Sequence, residues 1–296
     1  MGSVVVVGSA NVDLVYRVAS LPAPGETVLA TEATRHPGGK GNNQVIAAAR
    51  AGAPAKFIAS IGSDSGGDDL VTVLDDAGVT TLLRRPATET GTALITVDDH
   101  AENTIVVDSG ANAELVGLHA DELAAIEEAE TLLVQLEIPM ATVIAAARAA
   151  RAARTKVVLN AAPFRPLTDE LLRLIDVLVV NEVEAEALGP DARAVPLAWV
   201  ITRGSHGALV SDGTGRETAV PAPAVRAVDT TGAGDTFCGA LVAAMSEGRD
   251  LVEAARFAAV AGALATQRVG AVSSIPTRRE IDEFVHDDGS KTARTS

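Results

Sequence analysis

The chain has 296 residues, a length that at roughly 150 residues per domain suits one large domain, or a large one with a small partner, and leaves room for a sizeable core. With 47% hydrophobic and 21% charged residues it is too apolar for a disordered protein, yet no stretch reaches the roughly 18 uninterrupted apolar residues of a membrane span. Its 24 basic and 39 acidic residues give a net charge of −15, which opposes nucleic acid or an anionic membrane as a partner held by bulk electrostatics, so any phosphate must be met by local groups.

In chain order, the four valines at 4–7, closed by Gly8-Ser9, read as a strand buried on both faces of a parallel sheet. Residues 11–17 and 28–37 have strand character with no helix between them. An alanine-rich helix over 43–51, a strand over 57–61 and a helix over 68–77 follow. Residues 92–98 and 104–108 read as a hairpin-like pair around Asp99-His100. Alternation then resumes with strand 131–136, helix 140–153, strand 157–160, a helix at Leu171-Leu172, and strands 177–181 and 198–202. That rhythm predicts an α/β fold with a doubly wound, mainly parallel sheet flanked by helices. The two interruptions predict a small β-sheet beside the main body, or else an antiparallel edge on the main sheet. Cys238 is the single cysteine, which excludes an internal disulfide. The opening Met1-Gly2-Ser3-Val4 lacks the basic and apolar regions of a signal peptide, so the cytoplasm is the expected address.

The most informative segment is Val228-Asp229-Thr230-Thr231-Gly232-Ala233-Gly234-Asp235-Thr236-Phe237, which runs into a helical pattern. Small residues at 232–234 let backbone N–H groups converge at a helix N-terminus, where an anion is held by unsatisfied donors and the helix dipole. Asp235 at its mouth suits two uses, a helix cap or a base beside a bound phosphate; a cap alone does not call for the glycine crowding. A second segment, His36-Pro37-Gly38-Gly39-Lys40-Gly41-Asn42-Asn43-Gln44, offers donors and acceptors suited to a polyhydroxy compound or an anion, or is simply a loop entering a helix. It is not a Walker P-loop, since Gly41 follows Lys40 and position 34 is Thr34, and no G-x-G-x-x-G follows the first strand. Asn11, Asp13, Glu137, Asn181 and Glu184 lie at strand ends, where ligands of open α/β sheets gather, although Asn11 and Asp13 also suit an Asx turn. The five histidines show no metal-ligand spacing and there is no G-x-S-x-G elbow, which removes zinc and serine-hydrolase readings.

Asn11-Val12-Asp13, the segment 38–44, Asn181-x-x-Glu184 and the segment 229–235 together resemble the signatures of the ribokinase family of carbohydrate kinases, from about Val4 to Phe284. Pro24-Gly25-Glu26-Thr27-Val28, Gly110-Ala111-Asn112 and Gln135-Leu136-Glu137 are similar to the family's ribose-specific members. The resemblance implies an α/β body over 1–10, 38–90 and 109–286 and a discontinuous β-sheet lid over 11–37 and 91–108; the segment 287–296 reads, from its polarity, as a flexible tail. It implies ATP-dependent phosphorylation of D-ribose at O5, with Asp235 as general base and Ala233, Gly234 and Asp235 as a backbone anion hole. Asn11, Asp13, Gly39, Lys40, Asn43, Glu137 and Asp235 would hold the sugar, and Asn181, Thr202, Gly204, Ser205, Gly207 and Gly234 the nucleotide. Glu184 would influence Mg²⁺ through water, while Asp229, Thr231, Ala265, Arg268, Gly270 and Ser274 would bind an activating monovalent cation, usually potassium; Asp229 could instead cap locally or pair with Arg226 or Arg268. The family further implies a homodimer formed through the lid. Asn42 stands where such kinases often carry alanine, and Ala259 where a larger polar residue often edges the adenine pocket. The competing expectations are a kinase of the same family for another sugar or a nucleoside, against which the lid offers only Tyr16 for stacking a base, and a sugar-binding regulator, which would have no use for Asp235.

Overall fold

The computed structural model describes residues 2–100, 102–193 and 197–292. The chain opens with β1 (Val4–Val7), makes a first excursion through β2 (Asn11–Arg17) and β3 (Glu32–Gly38), and returns through α1 (Lys40–Arg50), β4 (Ala55–Ser60), α2 (Ser65–Asp76) and β5 (Thr80–Arg84). A second excursion, β6 (Gly91–Val97) and β7 (Asn103–Asp108), precedes α3 (Ala120–Glu127), β8 (Thr131–Val134), α4 (Met140–Ala153), β9 (Lys156–Asn160), α5 (Asp169–Leu174) and β10 (Val177–Asn181). After α6 (Glu182–Arg193, interrupted at Gly189) come β11 (Ala198–Thr202), β12 (Ala208–Ser211) and β13 (Glu217–Val220), then α7 (Ala233–Ser246), α8 (Leu251–Ala265), α9 (Ala271–Ser274) and α10 (Arg278–Thr292).

Nine strands form the main sheet in the order β13-β12-β11-β10-β9-β8-β1-β4-β5, parallel from β5 to β11 and antiparallel at β12 and β13. The excursions pair with each other as a separate four-stranded sheet, β3-β2-β6-β7, so the small sheet is not an edge of the large one. Because side chains alternate along β1, Val4 and Val6 pack with α1, α7 and α8 on one face, while Val5 and Val7 join Ile126, Val143 and Leu171 on the other. The chain winds outward from β1 in both directions, which places a crevice at the carboxyl ends of β1 and β8, the switch point where α/β folds bind ligands. On the small sheet, Leu94 of β6 and Ile105, Val106 and Val107 of β7 are exposed.

Three features differ from the sequence reading. α1 starts at Lys40 rather than 43, because Gly39, at φ 88°, supplies the turn that lets helical geometry begin immediately after it. β5, β12 and β13 are short strands without a strong period, and β3 begins at Glu32 rather than at 28. The polar segment expected as a flexible tail continues α10 as far as Thr292, a helix supported by the i,i+4 pairs Arg278–Asp282 and Arg279–Glu283; residues 293–296 lie outside the described residues.

Candidate active site

The N-terminus of α1 is fixed against the carboxyl end of β1. Asn42 N–H donates to the Ser9 carbonyl at 2.9 Å, and a Cβ at Gly41 would lie 2.6 Å from Ser9 N, so the helix reaches the strand end only because position 41 is glycine. Gly39 is equally constrained, since a Cβ there would sit 2.8 Å from Asn11 N and from Ala10 Cα. Glu137, just past β8, accepts from Ser9 Oγ at 2.5 Å and from Lys40 N–H at 3.1 Å. The buried Asn11 side chain accepts from Asn112 Nδ2 at 2.7 Å, and Asn112 Oδ1 in turn accepts Ala10 N–H at 2.9 Å. Asn112 thus joins the start of the first excursion to the return from the second; the sequence offered Gly110-Ala111-Asn112 as a resemblance and gave it no role in the site.

Asp13 projects from β2 over Gly38, where any side chain would collide with its carboxylate. Burial raises the Asp13 carboxyl to about 7, reinforced by Glu137 and Asp235 and opposed by Lys40. The Lys40 ammonium is held in its charged form chiefly by Asp235, against the opposing effect of burial, with further support from Glu137 and Glu184. Lys40 is the cation within a group of carboxylates.

Gly232, at φ 73°, caps α7, and a Cβ there would lie 2.8 Å from Ala271 Cβ. Asp235 lies in the first turn of α7 and does not cap it; its carboxylate leaves its own helix and accepts from Asn43 Nδ2 at 3.0 Å and Gln44 Nε2 at 2.8 Å. One expected anion-hole donor is engaged elsewhere, because Ala233 N–H donates to the Thr230 carbonyl at 3.2 Å. The N–H groups of Gly234 and Asp235 follow it in the first helical turn, where α-helices leave backbone donors without intrahelical acceptors.

Beside this lies a cavity of about 700 Å³ lined by Asn181, Thr202, Gly204, Ser205, Gly207 and Gly234. Its apolar wall, Ala222, Pro223, Val225, Phe237, Ala259 and Ala263, was missed apart from Ala259, since small apolar residues in a loop and on helix faces carry no chemical signature in a sequence. A second cavity of about 170 Å³ shares Asn181, Thr202 and Gly234 with the first and adds Lys40, Glu184, Asp235 and Cys238. Glu184 and Asn181 cap α6 reciprocally: Asn181 N–H donates to Glu184 Oε2 and Glu184 N–H to Asn181 Oδ1, each at 2.8 Å. The crevice and the small cavity therefore meet at Asp235, and the small cavity joins the large one at Asn181, Thr202 and Gly234.

Asp229 joins two loops. Its Oδ1 accepts from Thr231 N–H at 2.9 Å and Thr231 Oγ1 at 2.7 Å, and its Oδ2 accepts Gly270 N–H at 2.8 Å. Arg268 is not its partner, because that guanidinium pairs with Glu280 at 2.5 Å. Ala265 and Arg268 lie in the same turn, with Arg268 N–H donating to the Ala265 carbonyl at 3.4 Å, and the buried Ser274 hydroxyl donates to the Ala271 carbonyl at 3.0 Å. Asp229 is thus engaged locally with Thr231 and across to the second loop at Gly270. Among the described residues, no group of three or more His, Cys, Asp or Glu side chains could hold a metal by itself. No helix among them is long and apolar enough to cross a membrane.

The family model for pfkB family carbohydrate kinases matches residues 1–278. Ribokinase of Haemophilus influenzae is 42% identical over 298 aligned positions, covering 95% of this chain and 97% of the relative. That of Bacillus subtilis is 39% identical, covering 96% and 100%. Among solved structures, Arabidopsis thaliana ribokinase complexed with ribose and ATP superposes with a TM-score of 0.88 at 31% identity, covering 95% of this chain and 98% of that one. A doubly wound body with its own small sheet, a carboxylate set at the mouth of a glycine-rich helix start, and a match across nearly the whole length agree with one another: the chain belongs to the pfkB family of carbohydrate kinases.

Proposed function

We propose that the chain phosphorylates D-ribose at O5 with ATP, giving ribose 5-phosphate and ADP. The observation that carries this reading is the position of Asp235, which meets Asn43 beside Asp13 and Glu137 on one side and on the other lines the small cavity that shares Asn181, Thr202 and Gly234 with the large one. Phosphoryl transfer needs alignment and charge neutralisation more than covalent help. Asn11, Asp13, Gly39, Lys40, Asn43 and Glu137 hold the sugar so that its O5 hydroxyl lies against Asp235. As O5 bonds to the γ-phosphorus and the bond to the ADP oxygen breaks, the hydroxyl proton passes to the Asp235 carboxylate. Gly234 and Asp235 N–H, with Lys40, meet the charge on the transferring group. The small sheet acts as a lid that excludes water, the competing acceptor. The identity of the neighbouring ribokinases supports ribose, and a coupled assay of ADP release against pentoses, hexoses and nucleosides tests it: ribose should be turned over most efficiently, and preference for a nucleoside or hexose would replace this reading with its nearest alternative.

Mg²⁺ would arrive with ATP, consistent with the lack of a carboxylate cage among the described residues, and Glu184 in the small cavity would reach it through water. When bound, it supplies charge neutralisation at the phosphates. The oxygen set of Asp229, Thr231, Ala265, Arg268, Gly270 and Ser274 suits a monovalent cation such as potassium, a hard ion that prefers oxygen ligands. Since Asp229 already ties the 228–231 turn to Gly270, and the 232 turn rests on Ala271, an ion here would stiffen the start of α7 without touching substrate. Titrating potassium into alkali-free buffer should therefore raise kcat, and Asp229→Ala should remove the response; rates indifferent to potassium would remove the site. Leu94 and Val106, exposed cross-strand partners on one face of the small sheet, support a homodimer in which two lids cover each other, and a cytoplasmic setting fits a kinase fed by ATP.

The raised Asp13 carboxyl adds a pH dependence. An ionised carboxylate accepts sugar hydroxyls through charge-assisted bonds, and Asp13 ionises near 7, so the ribose KM should fall as pH rises from 6 to 8. Asp13→Asn should weaken binding and flatten that slope; a slope unchanged in the variant would assign it to another group.

A further inference from the structure

Neither oxygen of Asp235 is left to find its own position. Oδ2 meets Asn43, whose amide the proposed function assigns to the sugar, and Oδ1 meets Gln44, which is fully buried and out of reach of the crevice. Gln44 has a complete set of partners. Its Nε2 donates both hydrogens, one to Asp235 Oδ1 at 2.8 Å and one to Asn160 Oδ1 at 2.9 Å, while its Oε1 accepts from the buried Gln135 Nε2 at 2.6 Å. The orientation is fixed from outside: Asn160 Nδ2 donates to the Val179 carbonyl at 3.3 Å, and a carbonyl only accepts, so Asn160 presents its oxygen to Gln44. Gln44 must then turn its amino group to Asp235. The relay starts on the backbone of β10 and draws on side chains at the ends of β8 and β9, so the carboxylate is referenced to the rigid sheet rather than to the glycine turn that carries it. Close approach of the helices makes the contact possible, since a Cβ at Gly239 of α7 would fall 2.5 Å from Ala47 Cβ of α1.

From this geometry we infer that Gln44 is the positioning residue for Asp235: it holds Oδ1 against the sheet and leaves Oδ2, shared with Asn43, as the oxygen that faces the sugar hydroxyl. The inference deepens the proposed function and rests on it. A misplacement of a reacting group by about 1 Å costs on the order of 10² in rate, whereas a group that touches no substrate has no direct effect on binding. Gln44→Met, close in shape and without donors, should lower kcat about 10- to 100-fold while the KM values for ribose and ATP, and the calorimetric affinity for ribose, stay within a few-fold. In an Asp235→Asn background the same change should cost little more, because the group it positions no longer works as a base. Gln135→Met, one partner further out, should produce a smaller loss in the same direction, and carries the comparison if Gln44→Met does not fold. Near-wild-type kcat in a folded variant, a KM that rises as much as kcat falls, or losses that multiply with Asp235→Asn would each overturn the inference. Wild-type turnover of ribose reports separately on the functional reading, so the two failures are distinguishable.

Discussion

Replacing Asp235 by asparagine is expected to lower kcat by about 10² to 10⁴, the range associated with loss of a general base, with ribose and ATP affinities retained within a few-fold. The variant keeps the side chain's size and removes its capacity to take a proton. The carboxylate now accepts N–H donors at both oxygens, from Asn43 at 3.0 Å and Gln44 at 2.8 Å. An asparagine can satisfy one of them with its oxygen and must turn its own amino group toward the other, so some disorder of the side chain is expected as well. Steady-state kinetics with ribose and ATP, alongside calorimetric titration of ribose, checks both halves. A variant within about tenfold of wild-type kcat would remove Asp235 as the base.

Lys40→Met should be the next most damaging change, with kcat/KM falling by about 10² to 10³, the scale for removing a preorganised electrostatic donor from a site. Lys40 is the first residue of α1, fixed through its own N–H to Glu137 at 3.1 Å. Its ammonium is held charged by Asp235, Glu137 and Glu184, and it lines the small cavity beside Asp235. Without it, Asp13, Glu137 and Asp235 repel one another unrelieved, and the Asp13 carboxyl loses the cation that pulls it down from its raised value. The acid limb of ribose binding should therefore move to higher pH in Lys40→Met, besides the loss in rate. A change within about fivefold would assign Lys40 to packing.

The parts of this site that are legible in the sequence are those whose function demands a particular residue locally. Gly39 and Gly232 adopt positive φ, Gly41 lies where a Cβ would strike the backbone of Ser9, and Asp13, Glu137 and Asn181 are polar groups at the ends of strands whose apolar runs are easy to see. Gln44 was read only as one polar group of the 36–44 segment, and Gln135 and Asn112 only as parts of family-like stretches; what each does was not legible, because each acts through partners 91 to 191 positions away that only the winding of the sheet brings near. Nothing in Gly232-Ala233-Gly234 shows that the Thr230 carbonyl folds back to accept the Ala233 N–H. The tail was read as frayed from its polarity, yet an amphipathic pattern is not needed where i,i+4 ion pairs support the preceding turns of α10. The small sheet was visible as two interruptions of the βα rhythm, but its strand order, β3-β2-β6-β7, follows from a parallel pairing of β2 with β6, whose partners such as Asn11 and Gly91 are 80 positions apart, that no local pattern records.

The most direct test is to identify the product. Incubating the protein with ATP, Mg²⁺, potassium and ribose labelled with ¹³C at C5, and following the mixture by ³¹P and ¹³C NMR, should show a phosphate monoester coupled to C5, formed in equal amount with ADP. Phosphate on another sugar oxygen, or ADP and free inorganic phosphate with no labelled ester, would contradict the placement of the O5 hydroxyl against Asp235.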